Sequence, residues 1–172
     1  YNTLDIIVWM IENGQREDAV RVVTALARFF RISLSKGRNI IPVKDELEHV
    51  RNYLLIQEMR YKNKFRYRID CPAEAEYLST IKLVVQPIVE NAIYHTMDFM
   101  DGDGLIEIRA GVSDGALSIT VADNGLGMTQ DVVESLLTTG PESNRRDSTK
   151  KGSGIGLKNV QERIRLYFGP QY

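Results

Sequence analysis

The sequence predicts an α+β fold, with helices layered on one face of a mixed sheet and a helical hairpin in front. Three observations point there. Apolar residues recur at helical spacing at both ends of the chain. The stretches "LIEIRA" and "ALSITVAD" alternate with period two. Helix-like runs precede and follow that pair, rather than alternating with single strands.

The elements follow in order. Leu4, Val8 and Ile11 share one helical stripe, broken by Asn13-Gly14. Val23, Leu26, Phe30 and Leu34 form a second stripe that stops near Lys36-Gly37. Two helices with so short a break read as an antiparallel hairpin over residues 1–37. It is either a generic helical subdomain or half of a dimeric four-helix bundle. Pro42 precedes a third helix, expected over residues 43–64, with Leu47, Val50 and Leu54 on one face. "FRYRI" reads as a strand with one exposed side. A fourth helix is expected over residues 80–97, burying Ile81, Val84, Val85, Ile88, Ala92 and Ile93. Pro87 falls inside it and deletes one backbone hydrogen bond. The two alternating runs, joined at Ser113-Asp114-Gly115, read as a β-hairpin. Residues 128–151 are mostly polar, with a short helix about 131–137. A last amphipathic helix carries Leu157, Val160, Ile164 and Tyr167.

Composition excludes several classes. With 172 residues the chain suits one large or two small domains. Twenty-two basic residues against 23 acidic leave a formal charge of −1, which argues against a nucleic-acid partner. One cysteine, Cys71, builds no disulfide framework and fits a reducing compartment. No apolar run approaches the roughly 20 residues of a membrane span, and no signal peptide is visible. The first residue is Tyr1, already inside an apolar pattern, so the sequence reads as a piece of a longer protein.

Three clusters carry chemistry. In "VADNGLGMTQ", Asp123 ends a strand in phase with Leu117, Ile119 and Val121. It is therefore expected on the apolar side, buried, where a carboxylate costs several kcal/mol without donors. It either caps the Asn124-Gly125 turn or accepts a hydrogen bond from a ligand. Gly125 and Gly127 would allow close backbone approach. "GSGIGLKN" places Gly152, Gly154 and Gly156 at the start of the last helix, where backbone N–H groups can form an anion site. It is neither a P-loop nor a dinucleotide fingerprint, because the spacings differ. In "LVVQPIVENAIYH", Glu90, Asn91, Tyr94 and His95 gather on one side. An Asn oxygen suits Mg²⁺, and a solvated polar stripe is the alternative.

Together, "VENAIYH", "DNGLGM" and "GSGIGL" resemble the nucleotide-binding boxes of the ATPase superfamily shared by DNA gyrase B, Hsp90, sensor histidine kinases and MutL. "YNTLDIIVWM" and "GIGLKNVQERIRLYFG" add a closer resemblance to bacterial LytS/YehU-like sensor histidine kinases, over nearly the whole chain. The resemblance implies a Bergerat-type two-layer α/β sandwich at residues 43–172, binding ATP and Mg²⁺, with further C-terminal strands beyond it. Asp123 would accept from the adenine amine, and Gly125 and Gly127 would shape that pocket. Asn91 would ligate Mg²⁺, and Glu90 would orient or deprotonate the attacking group. Gly152, Gly154 and Gly156, flanked by Lys151 and Leu157, would meet the phosphates under a lid at 128–151. Arg145, Arg146 and Lys150 of that lid either meet phosphate charge or stay solvated.

The family's phosphoacceptor histidine lies upstream of the "YNTL" element, so it is expected before Tyr1. The family commonly has Lys where this chain has Tyr94, with His95 as partial substitute. His49, beside Glu46 and Glu48, is expected to be solvated and structural. The implied activity is transfer of the ATP γ-phosphoryl to a histidine and then to a response-regulator receiver aspartate. The implied setting is a cytoplasmic homodimer joined through the helical region, reaching a membrane only through other parts of the parent. An anti-sigma-type serine kinase uses the same boxes without the long hairpin. A non-catalytic scaffold with a degenerate pocket is a rival of another class.

Overall fold

The first two helices, α1 (Asn2–Glu12) and α2 (Arg16–Ser33), turn about Asn13-Gly14, where Gly14 takes a φ of 73°. They bury a different stripe from the conspicuous one. Ile7 and Met10 of α1 pack with Ala19, Val22 and Ala25 of α2 and with Ile56 of the third helix. Leu4, Val8, Ile11, Val23, Phe30 and Leu34 are exposed instead. The physical reason is size: the alanines let the helix axes approach, whereas the bulkier stripe cannot close as tightly. Leu26 of the expected stripe also packs against that cluster, so each helix carries a second apolar stripe of which most is left exposed.

In the computed structural model, residues 1–34, 37–62, 64–99, 102–138 and 153–171 are described. They form two compact units, Tyr1–Gly125 and Leu126–Tyr172.

In the first unit, β1 (Ile40–Pro42) leads directly into α3 (Val43–Arg60), with Pro42 at its N-cap. This helix stops four residues earlier than its pattern suggests, where Lys62 adopts a left-handed φ of 51°. It is buried on most sides, at Val43, Leu47, Val50, Leu54 and Ile56. Polar side chains are enclosed with the apolar ones, among them Glu46, His49 and Asn52, because α3 packs against α1, α2 and the sheet.

The main sheet has the order β2 (Phe65–Asp70), β4 (Gly104–Ser113), β5 (Ala116–Asp123). β2 runs parallel to β4, and β5 is antiparallel to it, so the sheet is mixed as expected. Phe65, Ile106, Ile108 and Ala110 are buried, while Arg66, Arg68 and Arg109 on the other face are exposed. The β4–β5 turn places both Asp114 (φ 52°) and Gly115 (φ 76°) in the left-handed region, as a two-residue hairpin loop requires. A four-residue helix, α4 (Ala73–Glu76), leads to β3 (Ser79–Ile81).

The expected helix over 80–97 is wrong at its start. Residues 79–81 are β3, paired antiparallel with β1, and α5 runs Gln86–Phe99. Pro87 thereby falls in the first helical turn, where its missing N–H costs nothing. Ile81, Val84 and Val85 are still buried, but from a strand and turn.

In the second unit, α6 (Gln130–Thr138) packs against α7 (Ser153–Phe168). Val160 is buried on α7, and Gly169 (φ 106°) ends the helix by donating its N–H to the Arg165 carbonyl at 3.0 Å.

His49 is not solvated. It has no exposed surface and stacks on Phe29 with centroids 4.2 Å apart. Ser33 Oγ donates to the Phe29 carbonyl (2.9 Å), so its oxygen accepts from His49 Nε2–H at 2.8 Å. Nδ1 is buried with no partner among the described residues. Burial, reinforced by the nearby Lys82 cation, lowers the His49 pKa to about 4. The unfolded chain, with a pKa near 6.5, therefore takes up this proton first as pH falls. The stability tied to neutral His49 is complete above pH 6.5 and is lost down to pH 4, up to about 3 kcal/mol. Urea unfolding across that window should show a shallower pH slope for His49→Phe than for the parent; equal slopes would refute the assignment.

Candidate functional site

The start of α5 is built by a carboxylate that the sequence reading passed over. Glu46, fully buried on α3, accepts from the backbone N–H of Leu83 through Oε2 (2.8 Å). It also accepts from Val84 and Val85 through Oε1, both at 2.9 Å. Leu83 sits at a φ of 59°, a left-handed conformation rare for a branched apolar residue. Three N–H groups converge because that residue reverses the chain there. A burial cost expected at Asp123 is thus met at Glu46, with donors supplied. An acid in the first turn of a helix reads simply as a dipole partner. Nothing local signals a target 37 to 39 residues away.

From that start, α5 presents the candidate side chains. Gln86 Nε2 donates to Glu90 Oε1 at 2.7 Å, and Glu90 is exposed. Tyr53 of α3 is largely enclosed. Burial first, and then the Glu90 charge, push its phenol pKa upward. Asn91 and His95 are half-buried, one turn apart. The His95 ring meets Tyr94 edge-on at 5.6 Å, and Tyr94 itself is exposed.

Asp123 keeps the predicted strand phase, its Cα paired with that of buried Ile106. Its burial does not follow: the residue is exposed. It is the last residue of β5, and the apolar row that covers Ile119 and Val121 has ended there. Oδ1 accepts the Gly125 N–H at 2.9 Å, the Asx-type cap that was the plainer of the two readings. Oδ2 accepts no hydrogen bond among the described residues, so the cap orients the carboxylate without using it up. Asn124 completes the loop. Its Oδ1 accepts from Leu105 N–H (2.8 Å) and its Nδ2 donates to the Asp103 carbonyl (2.9 Å), stitching the strand end to the start of β4. That role was also missed, although an Asn before Gly is a common turn signal.

Gly125 joins these parts. A Cβ placed on it would lie 2.8 Å from Asp123 Oδ1 and 3.3 Å from the His95 carbonyl oxygen. The absence of a side chain is what lets the strand end lie against α5. Asp123, Gly125 and His95 are therefore brought together.

In the second unit, Gly127 takes a left-handed φ of 70°. Gly154 and Gly156 lie inside the first turn of α7 rather than before it, with Gly156 and Leu157 half-buried. Lys151, Gly152 and the lid cations Arg145, Arg146 and Lys150 lie outside the described residues. No group of three or more His, Cys, Asp or Glu could hold a metal among the described residues. One Asn oxygen beside a carboxylate fits a Mg²⁺ that keeps its waters and takes phosphate oxygens.

Residues 77–170 match the model of the histidine kinase-, DNA gyrase B-, and HSP90-like ATPases. The chain belongs to this ATPase family. Residues 1–65 match the histidine kinase model as well. The chain is 34% identical over 172 residues to the sensor histidine kinase YesM of Bacillus subtilis (strain 168), all of this chain and 27% of that protein. It is 30% identical to the sensor histidine kinase BtsS of Escherichia coli (strain K12), again over all of this chain and 27% of the relative. With the sensor protein LytS of Bacillus cereus it shares 30% over 156 residues, 90% of this chain and 26% of the relative. The chain thus spans about a quarter of the length of the curated relatives it matches. The expected kinship with LytS-like sensor histidine kinases and the Bergerat-type fold of this ATPase family are both borne out. No helix among the described residues is long and apolar enough to cross a membrane.

Substituting Gly125→Ala should lower stability by about 1–3 kcal/mol, because the new methyl group meets a backbone carbonyl. Gly111→Ala, where a Cβ meets nothing within 4 Å, should cost little. Urea unfolding of the two variants checks the contrast.

Proposed function

We propose that this ATPase-family chain is the ATP-binding and dimer-forming part of a protein histidine kinase. The observation that carries the reading is the Asp123 carboxylate. It is oriented by Gly125, leaves Oδ2 open to a donor, and lies against the helix that bears Glu90, Asn91 and His95. Residues 43–172 would form the ATP-binding domain and residues 1–37 the dimerisation hairpin.

Asp123 Oδ2 accepts from the adenine amine. Asn91 would hold Mg²⁺ through its side-chain oxygen, the ion supplying neutralisation of phosphate charge when bound, and His95 would add a phosphate contact where Tyr94 supplies none. Gly154 and Gly156 fall in the first turn of α7, and a helix N-terminus suits phosphate oxygens. An imidazole nitrogen attacks the γ-phosphorus, the bond to the β–γ bridging oxygen breaks, and ADP departs. Glu90 takes or steers the imidazole proton, and the work is positioning and charge neutralisation. The phosphoryl group passes next to a receiver-domain aspartate. The accepting imidazole is not His49, which is enclosed and stacked on Phe29. This chain should therefore bind ATP without phosphorylating itself.

The unused stripe of α1 and α2 fits a second copy. Val8 and Ile11 of α1, and Val23 and Phe30 of α2, are all about half exposed or more. Bulky apolar side chains in line on adjacent helices suit a four-helix interface.

Two measurements test the reading. Calorimetry should detect ATP binding that strengthens with Mg²⁺, and Asp123→Asn should weaken it by about 1–3 kcal/mol through a mispaired amide. Undetectable ATP binding would favour the scaffold rival, and unchanged affinity in the variant would remove the adenine from this carboxylate. Sedimentation should show a dimer that Phe30→Glu converts to monomer, and a monomeric parent would refute the interface.

A further inference from the structure

The turn before α5 is over-determined for a simple loop. Glu46 holds three successive N–H groups, at Leu83, Val84 and Val85, while Lys82 donates from Nζ to the Ser33 carbonyl at 3.1 Å. That carbonyl is among the last of α2, with no helical partner ahead of it. The lead-in to α5 is therefore gripped by α3 on one side and by the end of α2 on the other. Val85 in turn accepts from Ile88 and Val89 N–H, both at 3.1 Å, so the first helical turn is laid down on the residue that Glu46 fixes. Gln86, the next residue, donates to Glu90.

We propose that Glu46 is a positioning residue of the nucleotide site, setting where α5 begins and so where Asn91 meets the metal-bound phosphates of ATP. It touches no nucleotide itself, and this proposal rests on the kinase reading above. The mechanism is geometric. Asn91 lies six residues after Val85 on one rigid helix, so a shift of the turn moves the Asn oxygen with it. A misplacement of about 1 Å at such a site can cost up to a hundredfold. The adenine end is set by Asp123 and the β4–β5 pairing; it touches α5 where Gly125 passes the His95 carbonyl, and should feel such a shift less than Asn91 does.

The decisive experiment compares the parent chain, Glu46→Gln, Asn91→Ala and the double variant by calorimetry, using Mg²⁺–ATP and metal-free ADP. Glu46→Gln keeps the shape and the two bonds to Oε1 but turns the Leu83 acceptor into a donor. It should weaken Mg²⁺–ATP by about tenfold or more while changing metal-free ADP by less than about threefold. In the Asn91→Ala background the Glu46→Gln effect should shrink clearly, since the oxygen it positions is gone and the His95 contact is what remains to be displaced. A parent chain that binds no Mg²⁺–ATP overturns the kinase reading and this proposal with it. If the parent binds, equal losses for both nucleotides, or an undiminished effect without Asn91, overturn the positioning role alone. Should Glu46→Gln fail to fold, hydrogen exchange on the parent decides. Mg²⁺–ATP must slow exchange at Leu83, Val84 and Val85 more than metal-free ADP does; equal protection refutes the proposal.

Discussion

A buried carboxylate has to find donors, and Glu46 finds three of them in consecutive backbone amides. Removing that acceptor would leave buried N–H groups without partners, each a penalty of about 1–3 kcal/mol. The interaction also holds Leu83 in a left-handed conformation that an isolated chain would avoid. Several features depend on it. It lets β3 end and α5 begin within a few residues and puts Pro87 in the one helical turn that tolerates it.

Helix α3 is the element that makes this possible. Its N-terminal turn supplies Glu46, its middle supplies His49 and Tyr53, and its C-terminal half packs Ile56 into the α1–α2 cluster. A helix buried on most of its circumference transmits position well, because close-packed interiors have no slack. His49 illustrates the cost of such a location. It stays neutral, keeps one ring nitrogen on Ser33, and leaves the other without a partner among the described residues.

The nucleotide reading rests on what the turn bonds of the strand end leave over. Asp123 and Asn124 make turn bonds common in proteins, yet those bonds leave one carboxylate oxygen oriented and available. Gly125 contributes by having no side chain where a helix carbonyl passes at close range. An exposed Asp123 is compatible with a ligand site, because a group that must meet a purine has to be reachable by it.

Local pattern alone determined the existence of the long helices, the β4–β5 hairpin and the strand phase of Asp123, because periodicity and turn chemistry are properties of neighbouring residues. The joint order of three short motifs also announced the ATPase family, since their spacing is written along the chain. Tertiary structure decided the rest. Which of two apolar stripes on α1 and α2 faces inward depended on the small residues opposite, which periodicity does not weigh. Whether residues 79–81 extend α5 or pair with β1 was settled by a partner strand about 40 positions away. Glu46 and His49 looked like ordinary charged and polar positions on a helix surface, and only the packing of α2 and the 83–85 turn around α3 enclosed them. Burial is a sum over contacts distant in sequence, so no reading of neighbours could have supplied it.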